Sequence, residues 1–243
     1  MVRLTVTDGV AHLALADPAS GNALGEQTVH QLRAAFGEVE RNPAVRAVLL
    51  TGEGDTFSSG APLELLKRLA AGELRPTDIV LPKILLDCPV PVIAAMAGHA
   101  TGGGFALGLA ADIVVLAAES RYGFTFMNLG FTPGMGTTCL CEHVLAPAIA
   151  HELLFTGELR RGAAFARTGI NHVVPRADVE ALGRDLAQRI ADKPRVAVAA
   201  LKRALSLPRR RAFETSITTE SFMHAMTLGA AAASHRLEDE YVE

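Results

Sequence analysis

The sequence predicts an α/β protein with parallel strands. Two observations carry this reading. Runs that are mostly apolar, at residues 45–51, 91–96 and 113–117, have the length of buried strands, and segments with helical apolar spacing lie between them. This alternation of strand and helix is the pattern of parallel neighbours joined by crossovers.

The elements follow in order. Residues 2–7 and 11–16 read as strands, and Asp8-Gly9 between them favours a tight hairpin. Over residues 25–41, Val29, Leu32, Ala35, Phe36 and Val39 fall on one helical face. The strand at 45–51 ends in the turn cluster Gly52-Glu53-Gly54-Asp55. Helices are expected at 63–71 and 79–86, a buried strand at 91–96, a helix at 102–111 and a further buried strand at 113–117. From Thr138 onward the pattern is nearly all helical. Asp192-Lys193-Pro194 and Leu207-Pro208 read as helix boundaries, because proline disfavours helical geometry in the residue before it. The expected organisation is an α/β core over residues 1–190 and a helical C-terminal extension over 191–243. That extension packs either on its own core or on a neighbouring subunit.

Composition narrows the function classes. The chain has 243 residues, 49% hydrophobic and 20% charged, with a formal net charge of −3. That length supports a sizeable core without disulfide or metal staples. The charge balance argues against a nucleic-acid binder, which needs an excess of Lys and Arg. No apolar stretch reaches the 18 or so residues of a membrane span. Cys88, Cys139 and Cys141 match neither a disulfide framework nor a metal site, so reduced thiols and a cytoplasmic location are expected.

Two glycine-containing segments stand out as chemistry. Phe57-Ser58-Ser59-Gly60-Ala61 follows a strand and precedes a helix, and Gly98-His99-Ala100-Thr101-Gly102-Gly103-Gly104-Phe105 follows the strand at 91–96. Three glycines at a helix start expose backbone N–H groups at the positive end of the helix dipole, where an oxyanion or phosphate fits. A tight turn with close helix–strand packing accounts for three glycines equally well. The spacing is not that of a dinucleotide fingerprint.

With Pro89-Val90-Pro91-Val92-Ile93-Ala94-Ala95, Gly130-Phe131-Thr132-Pro133-Gly134-Met135-Gly136, Asn22-Ala23-Leu24 and Leu154-Phe155-Thr156-Gly157, these segments form an ordered set. The chain resembles the crotonase (enoyl-CoA hydratase/isomerase) superfamily from the first hairpin to about residue 205. The resemblance implies a fold of repeated ββα units, a homotrimer or dimer of trimers, a thioester substrate and no cofactor or metal. By position, it places the two oxyanion-hole amides on Ala61 and Gly103. Two converging N–H donors suit a thioester enolate.

The departures matter as much. Where the hydratases carry two glutamates, this chain has Ala106 and Phe126, neither of which can transfer a proton. Hydration by the usual route is therefore not expected. Asp112 is the nearest acid, at a position where the family commonly has a structural Asp. Pro18-Ala19-Ser20-Gly21 stands before Asn22 where coenzyme A binders often carry a basic residue, which points to an acyl carrier protein or, failing that, an acyl-CoA. Arg209-Arg210-Arg211 could dock such an acidic carrier, although a solvated helix end explains the run more simply.

Within the superfamily the resemblance runs to the decarboxylases of polyketide β-branching cassettes, through the segments at 86–96 and 130–136 and Glu220-Ser221-Phe222-Met223-His224-Ala225-Met226-Thr227. It implies decarboxylation of a 3-methylglutaconyl-type thioester on a carrier protein, with His224 as proton donor. It also implies a lysine near the pocket, whose ungapped position falls on Leu69; Lys67 is the nearest substitute and Lys83 the second. Lys67 reads equally as a solvated helix lysine, and His224 as a buried core histidine. His99 could face the pocket or cap a strand end, and His235 is an alternative to His224. The other histidines, His12, His30, His143, His151 and His172, lack metal spacing. The competing readings are an enoyl-thioester isomerase or hydrolase of the same fold, and a non-catalytic thioester-binding protein.

Overall fold

A computed structural model describes residues 1–74 and 81–228; the start of the expected 79–86 helix, His235 and the end of the expected extension lie outside these. In chain order the elements are β1 (Val2–Thr7), β2 (Val10–Leu15), α1 (Glu26–Arg41), β3 (Ala47–Gly52), β4 (Thr56–Ser58), α2 (Leu63–Ala70), α3 (Pro82–Asp87), β5 (Val92–Met96), β6 (His99–Thr101) and α4 (Gly103–Leu109). They continue with β7 (Ile113–Ala117), β8 (Arg121–Gly123), α5 (Thr137–Val144), α6 (Pro147–Thr156), β9 (Leu159–Arg161), β10 (His172–Val174), α7 (Arg176–Ala191) and α8 (Arg195–Thr227).

The apolar strands are apolar because both of their faces are covered. The main sheet runs β1-β2-β3-β5-β7-β10, antiparallel at the hairpin and parallel elsewhere. Along β3, Val48 and Leu50 enter the large core beneath α1, whose buried face carries Val29, Leu32, Ala35, Phe36 and Val39. Ala47 and Leu49 point the other way, onto Val179 and Ala187 of α7. β5 and β7 divide their residues in the same way. The period of two is hidden in the sequence because neither face meets water.

A smaller sheet, β4-β6-β8-β9, receives the chain as it leaves the main one. β3, β5 and β7 each pass through a turn into β4, β6 and β8, and the first two of these short strands lead into α2 and α4. This is the expected ββα repetition. Because β4 and β6 are parallel neighbours, their C-terminal ends lie side by side. The segments that follow them, carrying Ala61 and Gly103, are thereby brought together.

Two expectations need correction. The region after Thr138 is not all helix, since β9 extends the small sheet and β10 the large one. Three-residue strands are too short to show a period, and they exist through pairing with β8 and β7. Leu207-Pro208 is not a boundary either, because α8 runs through Pro208. An interior proline costs a helix about 3 kcal/mol, and tertiary contacts on both sides of Pro208 offset it. The Arg209 guanidinium donates to the carbonyls of Leu109, Ala110 and Ala111 at 3.0, 3.1 and 3.2 Å, capping the C-terminal end of α4. Arg210 pairs with Asp87 at 2.9 Å. Two of the three arginines are therefore engaged by the chain itself, while Arg211 is exposed.

On the N-terminal side of Pro208, Lys202 enters the core with 2% of its side chain exposed and grips both Asp112 oxygens, at 2.8 and 2.7 Å. Asp112 also accepts from the Val92 N–H at 2.8 Å, which gives it a structural place between β5, β7 and α8. Removing one partner of a buried pair leaves the other charge stranded. Lys202→Met is expected to lower unfolding stability by about 3–5 kcal/mol, read from urea melts; a loss under 1 kcal/mol would contradict this account.

Candidate active site

The site begins with the first glycine loop. Asn22, buried at φ +55, donates through its amide to the carbonyls of Glu53 and Thr56 at 2.9 and 2.6 Å. Its own carbonyl accepts from the Ser58 hydroxyl at 2.9 Å, and Leu24 N–H donates to Gly60 O at 2.7 Å. Asn-Ala-Leu is thus the bracket that holds the turn before Ala61. Asparagine suits it, being one of the few side chains that tolerates a left-handed backbone.

The second loop presses against the first. Thr101 Oγ1 donates to Ser59 O at 3.0 Å. Gly60 sits at φ +85, and a Cβ there would stand 2.9 Å from Thr101 O and 3.1 Å from Gly103 N. A Cβ on Gly104 would meet Ser58 O at 2.3 Å. The glycines are required by this contact between backbones. Gly103 opens α4, whose first-turn amides have no acceptor within the helix.

Ala61 and Gly103 line one cavity, together with Phe126 and His224. The remaining wall is mainly hydrocarbon and thioether, including Leu66 and Leu69 from α2, Leu129, Phe131 and Met135. Phe126 stacks on Phe124 with centroids 6.2 Å apart and meets Phe131 edge-on at 5.9 Å; Phe131 in turn meets the His224 ring at 6.1 Å. At the position where the resemblance puts a hydratase glutamate, Phe126 begins an aromatic path to the imidazole.

His224 reaches the cavity from α8, across the segment between β8 and α5. Its Nε2 lies 2.7 Å from Thr132 O. A carbonyl can only accept, so Nε2 carries the hydrogen and the neutral ring presents Nδ1 as its lone-pair nitrogen. Nδ1 is buried and has no hydrogen-bond partner among the described residues. Burial holds the His224 pKa below 6.5, only partly opposed by the Thr132 bond. Because the folded value is the lower one, this group's contribution to stability is present above pH 6.5 and is lost as pH falls through the folded pKa.

Several expected residues lie elsewhere. Lys67 does not line the cavity; it is 43% exposed and faces Glu64 at 3.9 Å. The reason is helical phase, since Leu66 and Leu69 take the inner face of α2 and turn Lys67 outward. Lys83 pairs with Asp87 at 2.9 Å and is equally remote. Ala106 is wholly buried in the core; the described cavity lining touches the start of α4 at Gly103 and the Gly102 before it. His99 accepts from the Arg121 N–H at 2.9 Å and serves the small sheet instead. None of the described residues lining the cavity is a lysine or an arginine.

The sequence did not single out Met135 and Gly134 as site residues, although both lie in a quoted motif. Met135 has φ +63, and its sulfur would lie 2.9 Å from a Cβ on Gly103. Gly134 supports the imidazole, for a Cβ there would be 2.2 Å from His224 Cε1. A glycine-flanked methionine was the available signal.

Comparisons with known proteins bear on the family and the fold. The enoyl-CoA hydratase/isomerase family model matches residues 5–243. Bacillaene synthase decarboxylase PksI of Bacillus subtilis is 38% identical over 239 residues, covering 98% of this chain and 96% of that one. A solved structure from a dehydratase/decarboxylase enzyme couple involved in polyketide β-branching superposes with a TM-score of 0.96 at 37% identity, covering 100% of this chain and 99% of its own. The ECH2 decarboxylase domain of CurF from Lyngbya majuscula gives 0.91 at 39% identity, with 99% of each chain covered.

Proposed function

Because the chain belongs to the enoyl-CoA hydratase/isomerase family, with relatives that are decarboxylases over their full length, we propose that it decarboxylates a 3-methylglutaconyl-type acyl thioester in polyketide β-branching. The observation that carries this reading is the cavity itself. It joins two backbone-amide positions to one histidine, and Phe126 stands in its wall at a position where the hydratases carry a glutamate.

The thioester oxygen sits between the Ala61 and Gly103 N–H groups. The bond between the γ-carbon chain and the carboxylate breaks, carbon dioxide leaves, and the electron pair moves through the conjugated system onto that oxygen. The amides stabilise the resulting dienolate more strongly than the neutral carbonyl, which is the condition for catalysis. With Leu69 in the cavity and Lys67 outside it, the apolar wall provides the drive. It disfavours an anionic carboxylate and favours departure of a neutral gas. His224 then delivers a proton from Nδ1 to carbon and recovers it from water.

Proton delivery needs the imidazolium, and the empty site disfavours it. A substrate carboxylate beside Nδ1, which has no partner among the described residues, supplies a counter-charge and raises the imidazole pKa on binding. In the free protein the active form is lost as pH rises through a value below 6.5. The expected kcat/KM therefore declines on the alkaline side with an apparent pKa under 6.5, and His224→Gln abolishes that limb. A profile flat from pH 5 to 8 contradicts the assignment.

The substrate arrives on the phosphopantetheine arm of an acyl carrier protein, a reading supported by the absence of a basic residue before Asn22 and by the β-branching relatives. The assembly is a homotrimer or dimer of trimers, in keeping with exposed apolar side chains such as Phe155, Phe222 and Met226. The three buried cysteines suit a reducing cytoplasm; burial pushes the Cys88 and Cys139 thiols up to about 11. Incubation with 3-methylglutaconyl carrier protein should release carbon dioxide, followed as the mass change of the carrier-bound acyl group. Turnover of a crotonyl thioester with no such loss would sink the decarboxylase reading, and faster reaction of the coenzyme A thioester would sink the carrier.

A further inference from the structure

Resting on His224 as the proton donor, we infer that Glu220 is the positioning residue that sets the place and tautomer of its imidazole. The two residues are four apart on α8 and share a face. Glu220 is 2% exposed, and both of its carboxylate oxygens accept hydrogen bonds. Oε2 accepts from Gly136 N–H at 2.6 Å; Oε1 accepts from Thr138 N–H at 2.9 Å, Thr138 Oγ1 at 2.6 Å and Ser216 Oγ at 3.2 Å. This carboxylate therefore caps the start of α5 from a different helix. Charge-assisted bonds of this kind hold geometry more firmly than neutral ones.

What Glu220 holds is the segment that orients His224. From Phe131 to Thr138 the chain supplies the Thr132 carbonyl that takes the Nε2 hydrogen, the Gly134 backbone against which the ring edge rests, and Met135 over Gly103. One turn beyond His224, Thr227 Oγ1 accepts from Thr132 N–H at 3.3 Å and lies 3.2 Å from Thr132 Oγ1. The histidine is thus flanked along α8 by two anchors to the same segment. Glu220 is the stronger, with three donors within 2.9 Å. If it is lost, the Thr132 carbonyl is no longer fixed opposite Nε2, and the hydrogen can reside on either nitrogen. Glu220 itself does not line the cavity, so it acts through His224.

The test combines Glu220→Gln with a double-mutant cycle and imidazole NMR on the full chain. Glutamine keeps one acceptor oxygen and turns an amide donor toward the donors of α5. Glu220→Gln should lower kcat about 10- to 100-fold, the scale of a misplaced proton-transfer group, and leave KM within about twofold. In a His224→Gln background the same change should have no further effect on kcat. The 15N shifts of His224 should show the Nε2–H tautomer in the parent protein and a mixture in Glu220→Gln.

An equal kcat loss in both backgrounds would mean that Glu220 only supports the fold, and an unchanged tautomer would overturn the inference outright. If Glu220→Gln does not fold, Thr138→Val removes one donor and carries the same readouts. Should His224→Gln itself retain full activity, the proton-donor reading fails; the tautomer measurement still decides whether Glu220 orients the ring.

Discussion

His224→Gln is expected to lower kcat for carbon dioxide release by about 10²–10⁴-fold, the usual contribution of a positioned proton donor. Glutamine retains an N–H for the Thr132 carbonyl, so the packing beside Gly134 and Phe131 survives while the transferable proton disappears. Since the proton is used after substrate binding, kcat and kcat/KM should fall together. Steady-state kinetics with the carrier-bound substrate measure both. A rise in KM at constant kcat would make His224 a binding residue. Full retention of activity would return the chain to the non-catalytic, thioester-binding reading.

Gly104→Ala should be nearly as damaging, although residue 104 has no side chain to lose. The new Cβ would stand 2.3 Å from Ser58 O and 2.7 Å from Ser58 Cβ, so the start of α4 must move away from β4. That movement separates the amides of Ala61 and Gly103. Misplacing one oxyanion donor costs about 10²–10³ in kcat. Gly108→Ala, farther along the same helix, is the control. Its Cβ would meet the flexible end of Met96, 2.3 Å from the sulfur, which strains the core without touching the cavity. Melting temperatures should fall for both variants and kcat mainly for Gly104→Ala. Equal kcat losses would remove the oxyanion hole from the explanation.

The legible part of the site was backbone chemistry. Glycine clusters at helix starts can be read directly, because a triple glycine has few reasons to exist other than close approach or exposed amides. The two loops were located in that way, and the order of motifs pointed to the family, whose resemblance then placed the two amides on Ala61 and Gly103. Side-chain placement was legible less often. Lys67 and Leu66 are adjacent in sequence, yet one faces Glu64 in solvent and the other lines the cavity. Helical phase decides between them, and on a short helix such as α2 a lysine two residues from the expected position is not a conservative replacement. Ala106 shows the same limit, since a small residue does not reveal whether it borders a cavity or a core.

The arginines after Pro208 give the opposite case. Local pattern suggested a break and a solvated basic run, whereas Arg209 is half-buried against the α4 carbonyls and desolvation lowers its pKa. Long-range partners about one hundred residues away outweighed a local proline cost.

By itself the sequence determined the alternation of strands and helices, the two glycine loops, the loss of both hydratase carboxylates and the family. These are properties of neighbouring residues or of ordered motifs, and they survive without a third dimension. Only the tertiary structure decided which side chains share the cavity. Residues 61, 103, 126 and 224 meet because β4 and β6 are parallel neighbours and because α8 folds back onto the segment before α5, anchored by Glu220. Neither relation leaves a period in the chain. Each depends on contacts between residues widely separated in sequence, and these form only when the whole core is assembled.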